Sequence, residues 1–291
     1  MWTDIARDIS AATGDPFTVR TRREVSGGCI NAGHAVSDGR RTYFVKTNAA
    51  PAHAMFAAEA AALTAIAGTR SVRVPCPICH GRNAAAAWLV LEHVNLHPLS
   101  QAAAGALGEQ LAELHRCTAA RYGWDRDNTI GSTPQANAWC SNWVEFWRER
   151  RLRPQYALAL RNGYGGALQE NGERLMERLQ RFFPGNMPPA SLLHGDLWSG
   201  NAACDMSDAP VVFDPASYYG DREADVAMTE LFGGYPQGFY AAYQASYRLD
   251  PGYRERSTLY NLYHVLNHLN LFGGRYLEQA EAMTMRLLAL A

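Results

Sequence analysis

Polar and apolar residues alternate through much of the first ninety positions. "FTVRTRREV" and "HAVSDGRRTYFVKTN" change sides residue by residue, as half-buried strands do, and "SDGR" supplies a hairpin turn. Between them "SGGCINAGH" forms a glycine-rich connection where two antiparallel strands meet. The period then changes: "PAHAMFAAEAAALTAIAG" predicts a helix, with Pro51 near its start and Gly68 past its end. "AAWLVLEHV" returns to strand, and its unbroken run Trp88, Leu89, Val90, Leu91 predicts burial on both faces.

After "NLHPLS" the spacing of apolar residues becomes helical. "AGALGEQLAELHRC", "WVEFWRERRLRPQ" and "NGERLMERLQRFF" show it, and so do "ERSTLYNLYHVLNHLNLFG" and "LEQAEAMTMRLLALA" near the end. A short strand-turn-strand, "SLLHGDLWSGNAAC" with "PVVFDPAS", interrupts them. The pattern predicts an α+β chain in two lobes. A small antiparallel-sheet lobe with one main helix covers residues 1–94, a connector lies at about 92–98, and a larger, mostly helical lobe covers 95–291.

Composition narrows the classes. Hydrophobic residues make up 47% and charged residues 19% of 291 positions, which is ordinary globular usage and argues against disorder or a fibrous repeat. A formal net charge of −1 offers no general attraction to nucleic acid or an anionic membrane, so neither partner is expected. No apolar run approaches the roughly 20 residues that span a bilayer. "MWTDIARDIS" has helical spacing but lacks the apolar core of a signal peptide, so a cytoplasmic protein is expected, as a monomer or weak dimer. The six cysteines are too scattered for a disulfide framework. "CPICH" (Cys76 to His80) matches a haem-attachment spacing, yet no export signal accompanies it and no second cysteine pair completes a zinc site. It reads as a loop entering a strand.

Candidate chemistry sits in the strand-turn-strand. In "HGDLWSGN", Asp196 and Asn201 stand five apart, and Asp214 ends the apolar strand "PVVF" thirteen residues later. Each acid alone reads as a turn or capping residue. Together, a carboxylate, an amide and a second carboxylate leaving a buried strand form the set that phosphotransferases use. The first takes the proton of an attacking hydroxyl, and the other two hold Mg2+ against nucleotide phosphates.

"HGDLWSGN" resembles the catalytic loop of aminoglycoside-phosphotransferase-like kinases, which share the two-lobed protein-kinase fold. "FDPASYYGDREADVAMTELFGG" and "DNTIGSTPQANAWCSNWVEFWRERRLRPQ" resemble the fructosamine kinase (ketosamine 3-kinase) family specifically, and the resemblance runs from about Ser26 to the C-terminal helices. It implies Asp196 as catalytic base, Asn201 and Asp214 as Mg2+ ligands, and Glu92, His93 and Val94 as the hinge that meets adenine. Gly27 and Gly28 take the place of the loop over the phosphates, although no full G-x-G-x-x-G is present. Lys46, the only lysine among 27 basic residues, falls where the fold's strand lysine contacts phosphate, with Glu59 on the next helix to hold it.

The acceptor side is more open. Trp198 serves either as an aromatic face for a sugar or as a core brace. Asp221 is a candidate substrate contact, whose other reading, shared with Arg222, Glu223 and Asp225, is a salt-bridge and capping group anchoring the loop. Spacing leaves Asn128, Gln135 and Asn137 without an assigned role, and His194 reads as shaping the loop. Cys29 falls at the tip of the phosphate loop. The resemblance implies an ATP- and Mg2+-dependent kinase acting on the 3-hydroxyl of fructosamines or ribulosamines, free or protein-linked, in deglycation. The alternatives are a same-fold kinase for an aminoglycoside, choline or thiosugar, and a silent kinase-like binding module. The basic run "RERRLRPQ" argues against polycationic antibiotics, and the intact set Lys46, Asp196, Asn201 and Asp214 argues against silence.

Overall fold

The computed structural model describes residues 1–25, 30–185 and 187–291, so the expectations for Gly27, Gly28 and Cys29 lie outside the described residues. By contact the chain divides into two compact units. One comprises Met1–Ala103 with Asn201–Pro215, and the other Ala104–Gly200 with Ala216–Ala291. The mixture of antiparallel sheet and helices is the α+β class that the pattern predicts.

The first unit opens with helix α1 (Trp2–Thr13). Five strands follow: β1 (Thr21–Val25), β2 (Ala32–Ser37), β3 (Thr42–Ala49), β4 (Pro77–Arg82) and β5 (Ala86–Glu92), with helix α2 (His53–Thr69) between β3 and β4. They form one antiparallel sheet in the order β1-β2-β3-β5-β4. On one face Val36, Val45, Trp88 and Val90 meet Ile5 and Ile9 of α1. Trp88 through Leu91 are all buried, as their continuous apolar run predicts. In the turn between β2 and β3, Asp38 accepts the Arg40 and Arg41 N–H groups at 2.8 and 2.7 Å.

Two expectations change here. "CPICH" is mostly strand rather than entry loop: β4 pairs with β5, and Cys79 packs against the α1 cluster, where burial pushes its thiol up to about 12. The stretch Ala50–Thr69 is long and apolar enough, by length and composition, to cross a bilayer, contrary to the expectation that no run approaches that length. In the fold its helix packs against β4 and β5 with Phe56, Leu63 and Ile66 buried, which is the environment of a core helix.

A second, small sheet completes this unit. Strand Ala202–Cys204 pairs with Pro210–Val212 on one side and His97–Pro98 on the other, and Val212 N–H donates to Arg73 O at 3.0 Å. These bonds are why Asn201–Pro215 groups with the N-terminal residues.

The second unit is built around the helix Tyr253–Phe272. Helices Glu223–Leu231, Arg153–Arg161 and Leu277–Leu290 pack on it, and Trp143, Phe146 and Trp147 meet its Tyr260 and Tyr263 in the core. Trp143–Trp147 runs through a π-helical turn, Arg148–Leu152, into Arg153–Arg161. Strand Ala190–Leu192 pairs with Thr118–Ala119 and Tyr219–Gly220. In the helix Glu223–Leu231 the polar residues Glu223, Asp225 and Thr229 are buried along with the apolar ones, so polarity does not mark its dry face.

Candidate active site

In the first unit, Lys46 lies on central strand β3, opposite Gly33 of β2 and Leu89 of β5. Its neighbour Val45 faces the α1 cluster, so strand alternation turns Lys46 to the other face. There its Nζ lies 2.6 Å from Glu59 Oε1 of α2 and 2.6 Å from Asp214 Oδ1. The side chain is buried, at 6% exposure. Burial pulls its pKa down, but Glu59 and Asp214 outweigh it and hold the ammonium above the ordinary lysine range. A buried charge needs such partners, since desolvation alone costs several kcal/mol. The lysine and glutamate singled out by sequence are therefore in direct contact.

The hairpin register explains the thirteen-residue spacing of Asn201 and Asp214. Ala202 pairs with Val212 and Phe213 N–H donates to Asn201 O at 3.1 Å, so the residues flanking the two strands are brought together. Asp214 has φ +60, in the left-handed region that non-glycine residues seldom occupy. Such strain gathers at functional sites. One oxygen is bound by Lys46, and the side chain remains 43% exposed. At the expected hinge, Glu92 is already engaged: its carboxylate accepts from Arg73 at 2.9 Å and from Cys76 N–H at 3.3 Å, and its own N–H donates to Cys76 O. His93 and Val94 follow, outside the strand. Cys76, Cys79 and His80 belong to no cluster of three potential metal ligands among the described residues. The trio that does approach one another, His97, Cys204 and Asp208, is engaged with Asp205 O, Ser100 N–H and Ser100 Oγ.

In the second unit, the loop after Ala190–Leu192 carries Asp196. Gly195 has φ +85, and a Cβ there would stand 2.2 Å from Ala216 O, so glycine alone fits. Asp225, buried on Glu223–Leu231, clamps this loop by accepting His194 N–H at 2.7 Å and Gly195 N–H at 2.8 Å, and it also meets His115 Nε2 at 3.2 Å. Burial raises the Asp225 pKa, but the His115 and loop hydrogen bonds outweigh it and keep the carboxyl below its ordinary range. His194 is fully buried, and its Nδ1 faces the Asp196 N–H at 3.3 Å, which suits a loop-shaping residue. Trp198 is 38% exposed and its ring folds over Gly200, where a Cβ would collide at 2.2 Å.

Asp221 needs correction as a substrate contact. At 3% exposure it accepts the Tyr260 hydroxyl and the Glu223 N–H, and so acts as an internal anchor. The basic run "RERRLRPQ" is likewise less available than it reads. Arg151 is fully buried over the Tyr218 ring, and Arg148 and Arg153 are both paired with Glu149. Asn128, Gln135 and Asn137, to which spacing assigns no role, form one internal amide network. Asn128 donates to Ser217 O at 2.9 Å and Gln135 to Ala216 O at 3.2 Å, bracing the backbone just after Asp214 and Pro215. Asn137 and Gln135 both donate to Asn128 Oδ1, while Arg151 and the Tyr263 hydroxyl hold them from behind.

The fructosamine kinase family model matches residues 1–290. A protein of Synechocystis sp., provisionally named a ketoamine kinase, is 47% identical over 283 residues, covering 97% of this chain and 95% of its own. The chloroplastic protein-ribulosamine 3-kinase of Arabidopsis thaliana is 42% identical over 281 residues, with 95% and 85% covered. A crystal structure from Haemophilus somnus, provisionally assigned as a fructosamine-3-kinase, superposes with a TM-score of 0.91 at 30% identity, covering 99% and 98%. An aminoglycoside phosphotransferase, at 13% identity and a TM-score of 0.66, shares the fold. The chain belongs to the fructosamine kinase family, with the protein-kinase-like fold of its phosphotransferases.

Proposed function

We propose that this protein transfers the γ-phosphoryl group of ATP to a sugar hydroxyl, the 3-hydroxyl, of a ketosamine carried by a small amine or a protein lysine. The observation that carries the reading is the buried Lys46 held between Glu59 and Asp214, inside a chain that matches the fructosamine kinase family from end to end. A compact ammonium is a point charge that suits a crowded diphosphate site, where a wide guanidinium fork would demand bidentate geometry. Lys46 contacts the nucleotide phosphates, and Glu59 fixes its position. Val94, outside the strand, meets the adenine together with the Glu92 carbonyl and His93. Asp196, on a loop whose backbone Asp225 immobilises, accepts the proton of the attacking hydroxyl. Trp198 covers a sugar face.

The side-chain oxygens of Asn201 and Asp214 are hard donors at the two ends of one hairpin, a set that suits Mg2+. Bound there, the ion would neutralise charge on the transferring phosphoryl group. The five cysteines among the described residues are unpaired, which fits a reducing cytoplasm.

The test is an ADP-coupled assay with fructose- and ribose-derived amines, an aminoglycoside and choline as acceptors. Turnover of a ketosamine, with the others at background, is expected. Asp196→Asn should lose at least about a hundredfold in kcat while ATP affinity stays close to wild type. An absence of ketosamine turnover alongside robust phosphorylation of another acceptor would replace the substrate class.

A further inference from the structure

Trp198 begins a row of rings that extends away from the loop of Asp196. Its edge meets Phe232 at 6.5 Å, Phe232 lies 4.6 Å from His268, and His268 lies 5.3 Å from both Phe272 and Tyr276. Both ends are open, with Phe272 44% exposed and Trp198 nearly as much. The row is tied to the loop by backbone bonds: Ser199 Oγ donates to Phe232 O at 3.1 Å, and the Tyr235 hydroxyl donates to Trp198 O at 3.2 Å. Gly233 and Gly234, at φ +89 and +73, let the chain turn between those two anchors.

His268 is the polar member of the row. Its Nδ1 donates to His264 O at 2.8 Å, one helical turn back, which places the proton on Nδ1 and leaves a lone pair on Nε2. Nε2 has no hydrogen-bond partner among the described residues. Burial lowers the imidazole pKa, and Arg275 adds to the effect despite the helix carbonyl, so the ring is neutral near pH 7. Aromatic faces attract a cation through their quadrupoles, and an imidazole lone pair accepts one N–H. A substituted ammonium satisfies both at once.

We propose that Phe232 and His268 bind the protonated secondary amine of the acceptor, while Trp198 covers its sugar. This rests on the ketosamine kinase reading, and it makes the pair the residues that distinguish a ketosamine from its parent ketose, which has no nitrogen. The experiment compares kcat/KM for a fructosyl alkylamine and for fructose in wild type, His268→Phe, His268→Gln and Phe232→Leu, with KM for ATP and the melting temperature as controls. Wild type should favour the amine. His268→Phe should lower that preference by about tenfold through the acceptor KM, leaving ATP untouched. His268→Gln, which restores an acceptor oxygen, should recover most of the preference, and Phe232→Leu should lose about threefold or more. If wild type phosphorylates no ketosamine, the functional reading fails. If it does, and both His268→Phe and Phe232→Leu keep the preference within about twofold, the amine site is overturned while the function stands. Should His268→Phe not fold, Phe232→Leu decides in the same way.

Discussion

At Lys46 the chain departs from its own habit of writing positive charge as arginine. The position explains the exception: one ammonium is buried with a carboxylate oxygen 2.6 Å away on either side. A guanidinium is planar, larger and suited to bidentate pairing, so it cannot occupy that point without moving Glu59 or Asp214. Lys46→Arg keeps the charge and should still lower kcat by at least about tenfold, because it displaces Asp214 from the position proposed for a Mg2+ ligand. Lys46→Met leaves two acids facing each other and should cost about 3–5 kcal/mol of stability. Steady-state kinetics with urea unfolding separate the two effects. Unchanged kinetics in Lys46→Arg would show that charge alone is needed there. Lys46 stands out in the sequence because it is the only lysine, and its contact with Glu59 follows from the strand and helix that carry the two residues. Asp221 is ambiguous in the sequence because an acid that follows a short apolar strand looks the same whether it faces substrate or the Tyr260 hydroxyl.

Among the elements, a wet and a dry face or an unbroken apolar run is readable in the sequence, whereas polar residues buried with apolar ones hide a helix's face. The Ala167–Arg178 helix shows its period in sequence, whereas Glu223–Leu231 buries Glu223, Asp225 and Thr229 and Tyr253–Phe272 buries Asn261, His264 and Asn267 among apolar residues. The hairpin Asn128–Ile130 with Thr133–Gln135 leaves no local signal for a related reason. Its amides are satisfied by Ser217, Ala216 and Tyr263, some 80 to 130 positions away, and no local window contains those partners. The joint between the Asp221 loop and Tyr253–Phe272 yields a pH prediction. Burial, with Glu223 beside it, pushes the Asp221 carboxyl from 3.8 up to about 7, so the folded chain holds that proton more tightly than the unfolded chain. The stabilisation is complete below the unfolded value and is lost as pH rises toward the folded one. Asp221→Asn does not titrate. Its urea midpoint should therefore gain on wild type between about pH 5 and about pH 7.5, with acceptor KM unchanged. Parallel midpoints, or a raised acceptor KM, would contradict the role of internal anchor.

On the scale of the whole molecule, the first unit is assembled from two segments far apart in the chain. A linear reading assigns Asn201–Pro215 to the helical half, where its sequence neighbours lie, because only strand pairing reveals its place. That returning segment adds two strands beside His97–Pro98, gives Arg73 its Asp205 partner, and supplies one of the two carboxylates on Lys46. It also brings both proposed Mg2+ ligands. Breaking a buried ion pair costs about 3–5 kcal/mol, and each lost backbone hydrogen bond adds about 1. A domain of about a hundred residues has only about 5–15 kcal/mol to lose. Residues 1–103 expressed alone should therefore melt without a cooperative transition and bind an ATP analogue at least about a hundredfold more weakly than the full chain. Joining residues 201–215 to that fragment through a flexible linker should restore a cooperative transition, since the strand pairs need only proximity. Circular dichroism melting and calorimetric titration decide it. A sharp transition and full nucleotide affinity in residues 1–103 alone would mean that the returning hairpin decorates the unit without completing it.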